Sequence, residues 1–311
     1  MDLIDVSHKK ILVTGGCGFL GSCLVESLIE NQAVVAVIDL IKGSTDKVAY
    51  HQLNLKNENE LHRIISDFKP DFIYHLAANL NRTRDFNYTN DLLETNLKGT
   101  VNLLNALKDV SYKKFIYIST SDVYGGKYSG KPFKENDTIL PASPYGLSKY
   151  AAEITLQTFS KIEQKNYTIL RLFNFFGNGL PQSFFISQLI SALNTNTNFD
   201  MTLGEQERDF LYIEDVTEAL LLALRKEADQ QVFNVSSGQG RQLKTLALAL
   251  KELVESDAQI RLGSIPYREN EIWHMIGDNR KIFETLGWRP KYSLEEGLKR
   301  TLTLMQTSPK S

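Results

Sequence analysis

Two residues four apart open the chemical reading. Tyr145 and Lys149, in Tyr145-Gly-Leu-Ser-Lys149 after Pro144, fall on one face of a helix that continues through Glu153. A phenol titrates near about 10 in water, too high for a base at neutral pH. A neighbouring ammonium favours phenolate, so the pair can pass a proton to or from a substrate oxygen. Thr120, in Ser119-Thr-Ser-Asp-Val-Tyr-Gly125 after an apolar run, is placed to hydrogen-bond the same oxygen. As strand-end caps Thr120 and Ser121 would do no chemistry, but Tyr145 and Lys149 favour the chemical role.

A second constellation opens the chain. The stretch Ile11-Leu-Val-Thr-Gly15-Gly-Cys17-Gly18-Phe19-Leu20-Gly21 reads as strand, turn and helix start, with glycines at 15, 18 and 21. Gly15 allows a tight turn, Gly18 lets the backbone approach a pyrophosphate, and Gly21 lets the helix pack on the strand. The first N–H groups of that helix, around Cys17–Gly21, suit phosphate oxygens. Asp39 ends the next apolar run, about 20 residues on, where a carboxylate accepts both hydroxyls of an adenosine ribose. A 2′-phosphate there would meet like charge, softened by Lys42, so NAD is favoured over NADP. The positive ring of oxidised NAD would join Lys149 in favouring the Tyr145 phenolate.

The elements that must hold these residues follow from apolar runs. Ile11–Val13, Val34–Ile38, Phe72–Leu76, Phe115–Ser119 and Thr168–Leu172 are short, largely apolar stretches separated by helical patterns. Such runs imply a parallel sheet covered on both faces, with the ligand crevice at the strand C-terminal ends. The predicted class is α/β, a Rossmann-like doubly wound parallel sheet with a smaller mixed C-terminal lobe. Residues 1–175, with strands drawn from 205–237, form the cofactor-binding domain; 176–204 and 238–311 form the substrate lobe. Helices are expected near 244–254, 280–286 and 294–305.

Composition narrows the class. The 311 residues carry a formal net charge of −2 and no basic run, so no nucleic-acid partner is expected. Cys17 and Cys23 make no disulfide framework, which fits a reducing cytoplasm. Met1–Lys10 lacks an apolar stretch of signal-peptide type, and the tail from Gln306 is polar. No apolar run approaches the roughly 18–20 residues of a membrane span. His75 reads as a strand-end structural residue, and His51, His62 and His274 lack metal-ligand spacing, so no metal is expected.

Taken together, the motifs resemble the extended short-chain dehydrogenase/reductases, the nucleotide-sugar epimerase/dehydratase family. The matching stretches are Thr14–Gly21, Asp39, His75-Leu76-Ala77-Ala78, Asn96–Thr100, Ser119–Gly125, Tyr145–Lys149, Arg171–Gly177, Arg208–Asp215 and Leu286–Pro290. The resemblance implies Thr120, Tyr145 and Lys149 as the catalytic set, with Lys149 also holding the nicotinamide ribose. It implies NAD contacts from Leu76, Ala77 and Ala78, and from Asn54 and Leu55, where Asn54 replaces the family's usual adenine-binding Asp. It implies that Asn174 and Arg208 contact the diphosphate of a nucleotide-sugar substrate. Arg suits phosphate because its planar fork donates two parallel bonds. Arg268 is a second candidate, and the segment 79–87, with Asn79 and Arg82 or Arg84, is expected to line the sugar pocket beside Ser121 and Asp122. A homodimer through helices near 91–108 and 145–163 is also implied.

The reaction turns on the residues after Thr120. Dehydratases of the family carry an acid pair or Ser-Glu there; Ser121-Asp122 is one methylene shorter, and proton abstraction needs hydrogen-bond reach. The stretch Pro266–Ile272 with Gly277–Arg280 resembles 4-ketoreductases such as CDP-abequose synthases. The expectation is NAD(H)-dependent redox chemistry at C4 of a nucleotide-diphosphate sugar. Ketoreduction or its reverse stands ahead of 4-epimerisation, with 4,6-dehydration or decarboxylation behind and a non-catalytic cofactor sensor last.

Overall fold

The computed structural model describes residues 5–43, 45–126 and 130–307. The end of the polar tail, from residue 308, and the first four residues lie outside that range. Seven strands form the main sheet: β1 (Lys10–Thr14), β2 (Val34–Asp39), β3 (Ala49–Gln52), β4 (Phe72–His75), β5 (Lys114–Thr120), β6 (Tyr167–Leu172) and β7 (Gln231–Val235). Their order is β3-β2-β1-β4-β5-β6-β7, and every pairing is parallel. The strand order reverses between β1 and β4, which opens the crevice expected of a doubly wound sheet.

Side-chain alternation explains why the sheet is buried on both faces. Ile11 and Val13 of β1 pack with Leu24, Val25 and Leu28 of helix α1 (Phe19–Glu30), whereas Leu12 points to the other layer. That second layer contains Leu61, Ile64 and Ile65 of α2 (Glu58–Phe68), Leu103 and Leu107 of α3 (Gly99–Leu107), and Ala152 and Leu156 of α4 (Pro144–Glu163). The first layer is completed by α5 (Ile213–Leu222). β5 is buried along all seven residues, so its end delivers Thr120 into the interior.

After β6 the chain builds the lobe. Strand Glu207–Tyr212 is flanked by Gly240–Gln242, by Asn174–Phe176 and by His274–Met275, and Phe199–Met201 pairs with Ile260–Leu262. The sequence expectation drew strands within 205–237 into the main sheet; Gln231–Val235 joins it and Glu207–Tyr212 does not. Glu207–Tyr212 finds its ladder partners in the lobe instead, and the buried Asp209 carboxylate ties it to the turn after β7 by accepting from the N–H groups of Ser237 at 2.7 Å and Gly238 at 3.0 Å. Helices Leu243–Val254, Arg280–Leu286 and Leu294–Thr307 complete the lobe. Among the described residues no helix is long and apolar enough to cross a membrane, no group of His, Cys, Asp or Glu could hold a metal, and both cysteines are free.

Candidate active site

The crevice between β1 and β4 is a cleft of about 650 Å³ lined by Gly15, Cys17, Gly18, Asp39, Asn54, Leu55, Leu76, Ala77 and Ala78. Gly15 sits at φ +74°, and a Cβ there would stand 2.6 Å from the Ala77 nitrogen, so only glycine fits. A Cβ on Gly18 would meet nothing nearer than the Gly15 carbonyl at 3.4 Å, which leaves its backbone open to a ligand. Phe19, Leu20 and Gly21 do not line the cleft. Leu20 is in the core and Phe19 stacks on Phe175, so these three can offer only the unpaired N–H groups of the α1 start.

Asp39 lies in the cleft with both oxygens engaged: one accepts from the Cys17 N–H at 2.9 Å, the other from the Leu40 N–H at 2.7 Å. These bonds fix the carboxylate at the mouth of the glycine turn, where ribose hydroxyls would share it. Lys42 is exposed and is not part of the cleft lining. The Asn54 carbonyl oxygen accepts from the Lys56 N–H at 3.0 Å, so its amide is the part free to donate to adenine. A dinucleotide fits this cradle: open backbone for the pyrophosphate, a fixed acceptor for the ribose, and apolar walls from Leu53 and Leu55 for the base.

Asn79 lines the same cleft, not the sugar cavity expected of it. Its backbone is bound from both sides by Asn96, which accepts from the Asn79 N–H at 2.7 Å and donates to its carbonyl at 3.1 Å. Asn96 also donates to the Ser148 hydroxyl at 2.9 Å, and Ser148 donates to the Tyr145 carbonyl at 2.8 Å. Around Asn96 the helix widens into a π-helical stretch, Leu93–Lys98, of the kind found at functional sites. Sequence periodicity does not reveal such a widening. His75 is a buried structural residue: its ring bridges the Thr14 and Thr100 hydroxyls at 2.6 and 2.8 Å, and burial pushes it down to about 3, so it is neutral.

At the inner end of the cleft stand Thr120, Tyr145 and Lys149, all 4% exposed or less. α4 begins at Pro144, capped by the Ser143 hydroxyl on the Gly146 N–H at 3.1 Å, which sets Tyr145 in the first turn. Burial raises the Tyr145 phenol above its ordinary value, and the neighbouring Thr120 hydroxyl is among the groups that draw it back. Lys149 lies 4.2 Å from the Tyr117 ring centre, and burial pulls its ammonium down to about 7, opposed by the Glu153 carboxylate one turn on. Glu153 is itself locked by Arg171, whose guanidinium donates to it at 2.7 Å.

Beyond the tyrosine lie two connected spaces. The larger, about 890 Å³, is lined by Arg82, Arg84, Asn174, Phe184, Arg208 and Arg268; the smaller, about 180 Å³, adds Ser121 and Asp122 to the same four arginines. Asn174 donates its amide to the Asp209 carbonyl at 3.1 Å, Arg208 pairs with Glu271 at 2.8 Å, and Arg82 faces Asp122 at 3.8 Å. The structure thus brings Arg82, Ser121, Asp122, Asn174, Arg208 and Arg268 around one polar space next to Tyr145. Glu271 and Phe184 were not anticipated, because their neighbours come from distant segments.

The comparisons agree with this geometry. Residues 11–236 match the model of the NAD dependent epimerase/dehydratase family. A UDP-glucose 4-epimerase of Mycoplasma pneumoniae is 31% identical over 94% of this chain and 95% of its own. A dTDP-D-glucose 4,6-dehydratase of Bos taurus is 30% identical over 96% of this chain and 89% of its own. Among solved structures, the Thermotoga maritima UDP-glucose 4-epimerase with UDP-glucose superposes at a TM-score of 0.90, 32% identical, over 96% of this chain and 98% of that one. With the glycine turn, the Thr120–Tyr145–Lys149 set and a family match over most of its length, the chain belongs to the NAD dependent epimerase/dehydratase family.

Proposed function

We propose that the protein is a 4-epimerase of a nucleoside-diphosphate sugar that works with retained NAD. The observation carrying this reading is the state of Asp122. Its carboxylate faces the Arg82 guanidinium, on a side chain too short to replace a free glutamate base at C5. What remains beside the sugar space is the Thr120–Tyr145 hydroxyl pair, which suits proton exchange with one oxygen, that on C4. The epimerase names among similar proteins support this choice over ketoreduction, the first expectation from sequence, which would use a dissociable co-substrate.

In this reading Arg208, Arg268 and Asn174 bind the diphosphate and leave C4 against Tyr145. Thr120 hydrogen-bonds the C4 oxygen; Tyr145 takes its proton as the hydride leaves C4, and returns it to the keto-sugar after the sugar has turned its other face. NAD supplies the hydride acceptor and donor. Lys149 holds the nicotinamide ribose and, when protonated, favours the phenolate. Tyr145 is 4% exposed, which keeps bulk water from this proton transfer.

Dehydration is the second reading, favoured by the likeness to the bovine dehydratase and by Ser121-Asp122 in the dehydratase position. We also infer a homodimer through the outer face of α4, where Leu147, Ile154 and Ile162 are exposed; elution as a concentration-independent monomer would refute it. Denaturing freshly purified protein and identifying the released nucleotide tests the cofactor half of the proposal. Near-stoichiometric NAD or NADH is expected. An empty protein that binds NADPH better than NADH would overturn both the retained cofactor and the role given to Asp39.

A further inference from the structure

The catalytic phenol has a cationic neighbour that the Tyr-x-x-x-Lys spacing does not provide. Lys149 sits over the Tyr117 ring and is influenced mainly by its own burial and by Glu153. Arg82 approaches Tyr145 from the cavity side. Its guanidinium carbon lies 5.6 Å from the Tyr145 ring centre and 5.5 Å from that of Phe184. On its far side it meets the Asp122 carboxylate at 3.8 Å.

We propose that Arg82 is a second cationic partner of the catalytic tyrosine, set against the Tyr145 ring and held by Asp122, where it stabilises the phenolate formed when the proton leaves. The assignment rests on Tyr145 as the proton carrier. A guanidinium stays charged at any working pH and offers five donors in a fixed plane, so it can serve Tyr145 and Asp122 together. Lys149, drawn down to about 7, is by contrast only partly charged at neutral pH before the cofactor arrives. A substrate filling the cavity displaces water from around Arg82 and strengthens its pull on the phenolate. Asp122 becomes the counterweight: it orients Arg82 and limits how far the phenol is ionised.

The charged and titratable groups facing Tyr145 are few. Arg82 comes from the 79–85 segment, Asp122 follows the end of β5, Tyr117 lies on β5, and Lys149 stands on α4 itself; Arg208 acts on Asp122 from the lobe. Burial raises the Tyr145 phenol above its ordinary value, the Arg82 charge is the strongest opposing influence, and Asp122 adds to the rise. Arg82 and Asp122 therefore push in opposite directions, and this sign difference is the signature to measure.

The test is a spectrophotometric titration of tyrosinate in the whole protein, with the Y145F curve subtracted so that Tyr145 alone remains. R82M should move Tyr145 ionisation to higher pH by about one pH unit or more, a tenfold loss in its ionisation constant. D122N should move it to lower pH, and R82K should restore part of the R82M loss. The high-pH shift should reappear in the pH profile of kcat. If R82M fails to fold, R82Q, which removes the charge but keeps a polar side chain, is titrated in the same way and should give the same shift to higher pH. A Tyr145 titration that neither variant moves, with R82M raising only the KM for the sugar nucleotide, would reduce Arg82 to a substrate contact and overturn the proposal. Because the titration needs no substrate, a correct shift in a protein that epimerises nothing would refute the proposed function and leave the role of Arg82 standing.

Discussion

The cleft proposed for the cofactor and the cavity proposed for the substrate adjoin at Leu80 but are built on different terms. The cleft is mostly backbone and small apolar side chains, and its single fixed carboxylate, Asp39, is tied to main-chain N–H groups. The cavity sets an apolar wall, with Phe175, Phe184 and Phe210, against charged side chains gathered from separate segments: Arg82 and Arg84, Asp122, Arg208 and Arg268. A cleft of backbone has one shape and suits one ligand. A cavity in which Arg82 pairs with Asp122 and Arg208 with Glu271 can trade those ion pairs for a substrate anion.

The comparison can be broken at its seam first. Lys149 is buried where both regions need a charge, and its fall from 10.5 to about 7 corresponds to a penalty on the order of 5 kcal/mol, at about 1.4 kcal/mol per pH unit. The folded state binds this proton less well than the unfolded chain. The penalty is therefore full below pH 7 and fades as pH rises toward the ordinary lysine value. K149M should unfold at a higher temperature than wild type at pH 6, with the advantage shrinking at pH 9.5, although it loses turnover. Calorimetry of the cofactor-free proteins at both values checks this, and an advantage that grows with pH would contradict the assigned burial.

In the cavity, the diphosphate role proposed for Arg208 predicts that R208A loses charge-assisted bonds worth about 1.5–3 kcal/mol. The KM for the sugar nucleotide should rise about 10- to 100-fold, while the NAD released on denaturation stays unchanged. In the cleft, G15A should do the reverse. A left-handed alanine with its Cβ against the Ala77 backbone should lower stability by about 1–3 kcal/mol and empty the protein of NAD. If R208A also lost the cofactor, or G15A kept it, the two regions would not be separable.

The same contrast decides what could be read in advance. The glycines at 15, 18 and 21 and Asp39 report on backbone shape, and a backbone requirement leaves a fixed spacing in the chain. The strand runs likewise predicted the doubly wound sheet, because burial on both faces forces continuous apolar stretches. Strand Glu207–Tyr212 was misplaced because its ladder partners, Asn174–Phe176, Gly240–Gln242 and His274–Met275, come from segments about 30 or more positions away in the chain. Asn79 was assigned to the sugar for a similar reason: its partner Asn96 sits in a π-helical stretch that no periodicity marks. Arg82 was anticipated as a sugar contact, but its place beside Tyr145 emerges only when the 79–85 segment folds across the end of β5.

The central claim is tested most directly by supplying the purified protein with UDP-glucose and related nucleotide sugars, with no nicotinamide added, and following C4 by proton NMR. The account predicts an equilibrium mixture of the two C4 epimers from protein carrying its own NAD, and no such mixture with Y145F. A product that has lost water, or turnover that begins only when NADPH is supplied and yields a reduced sugar, would contradict it.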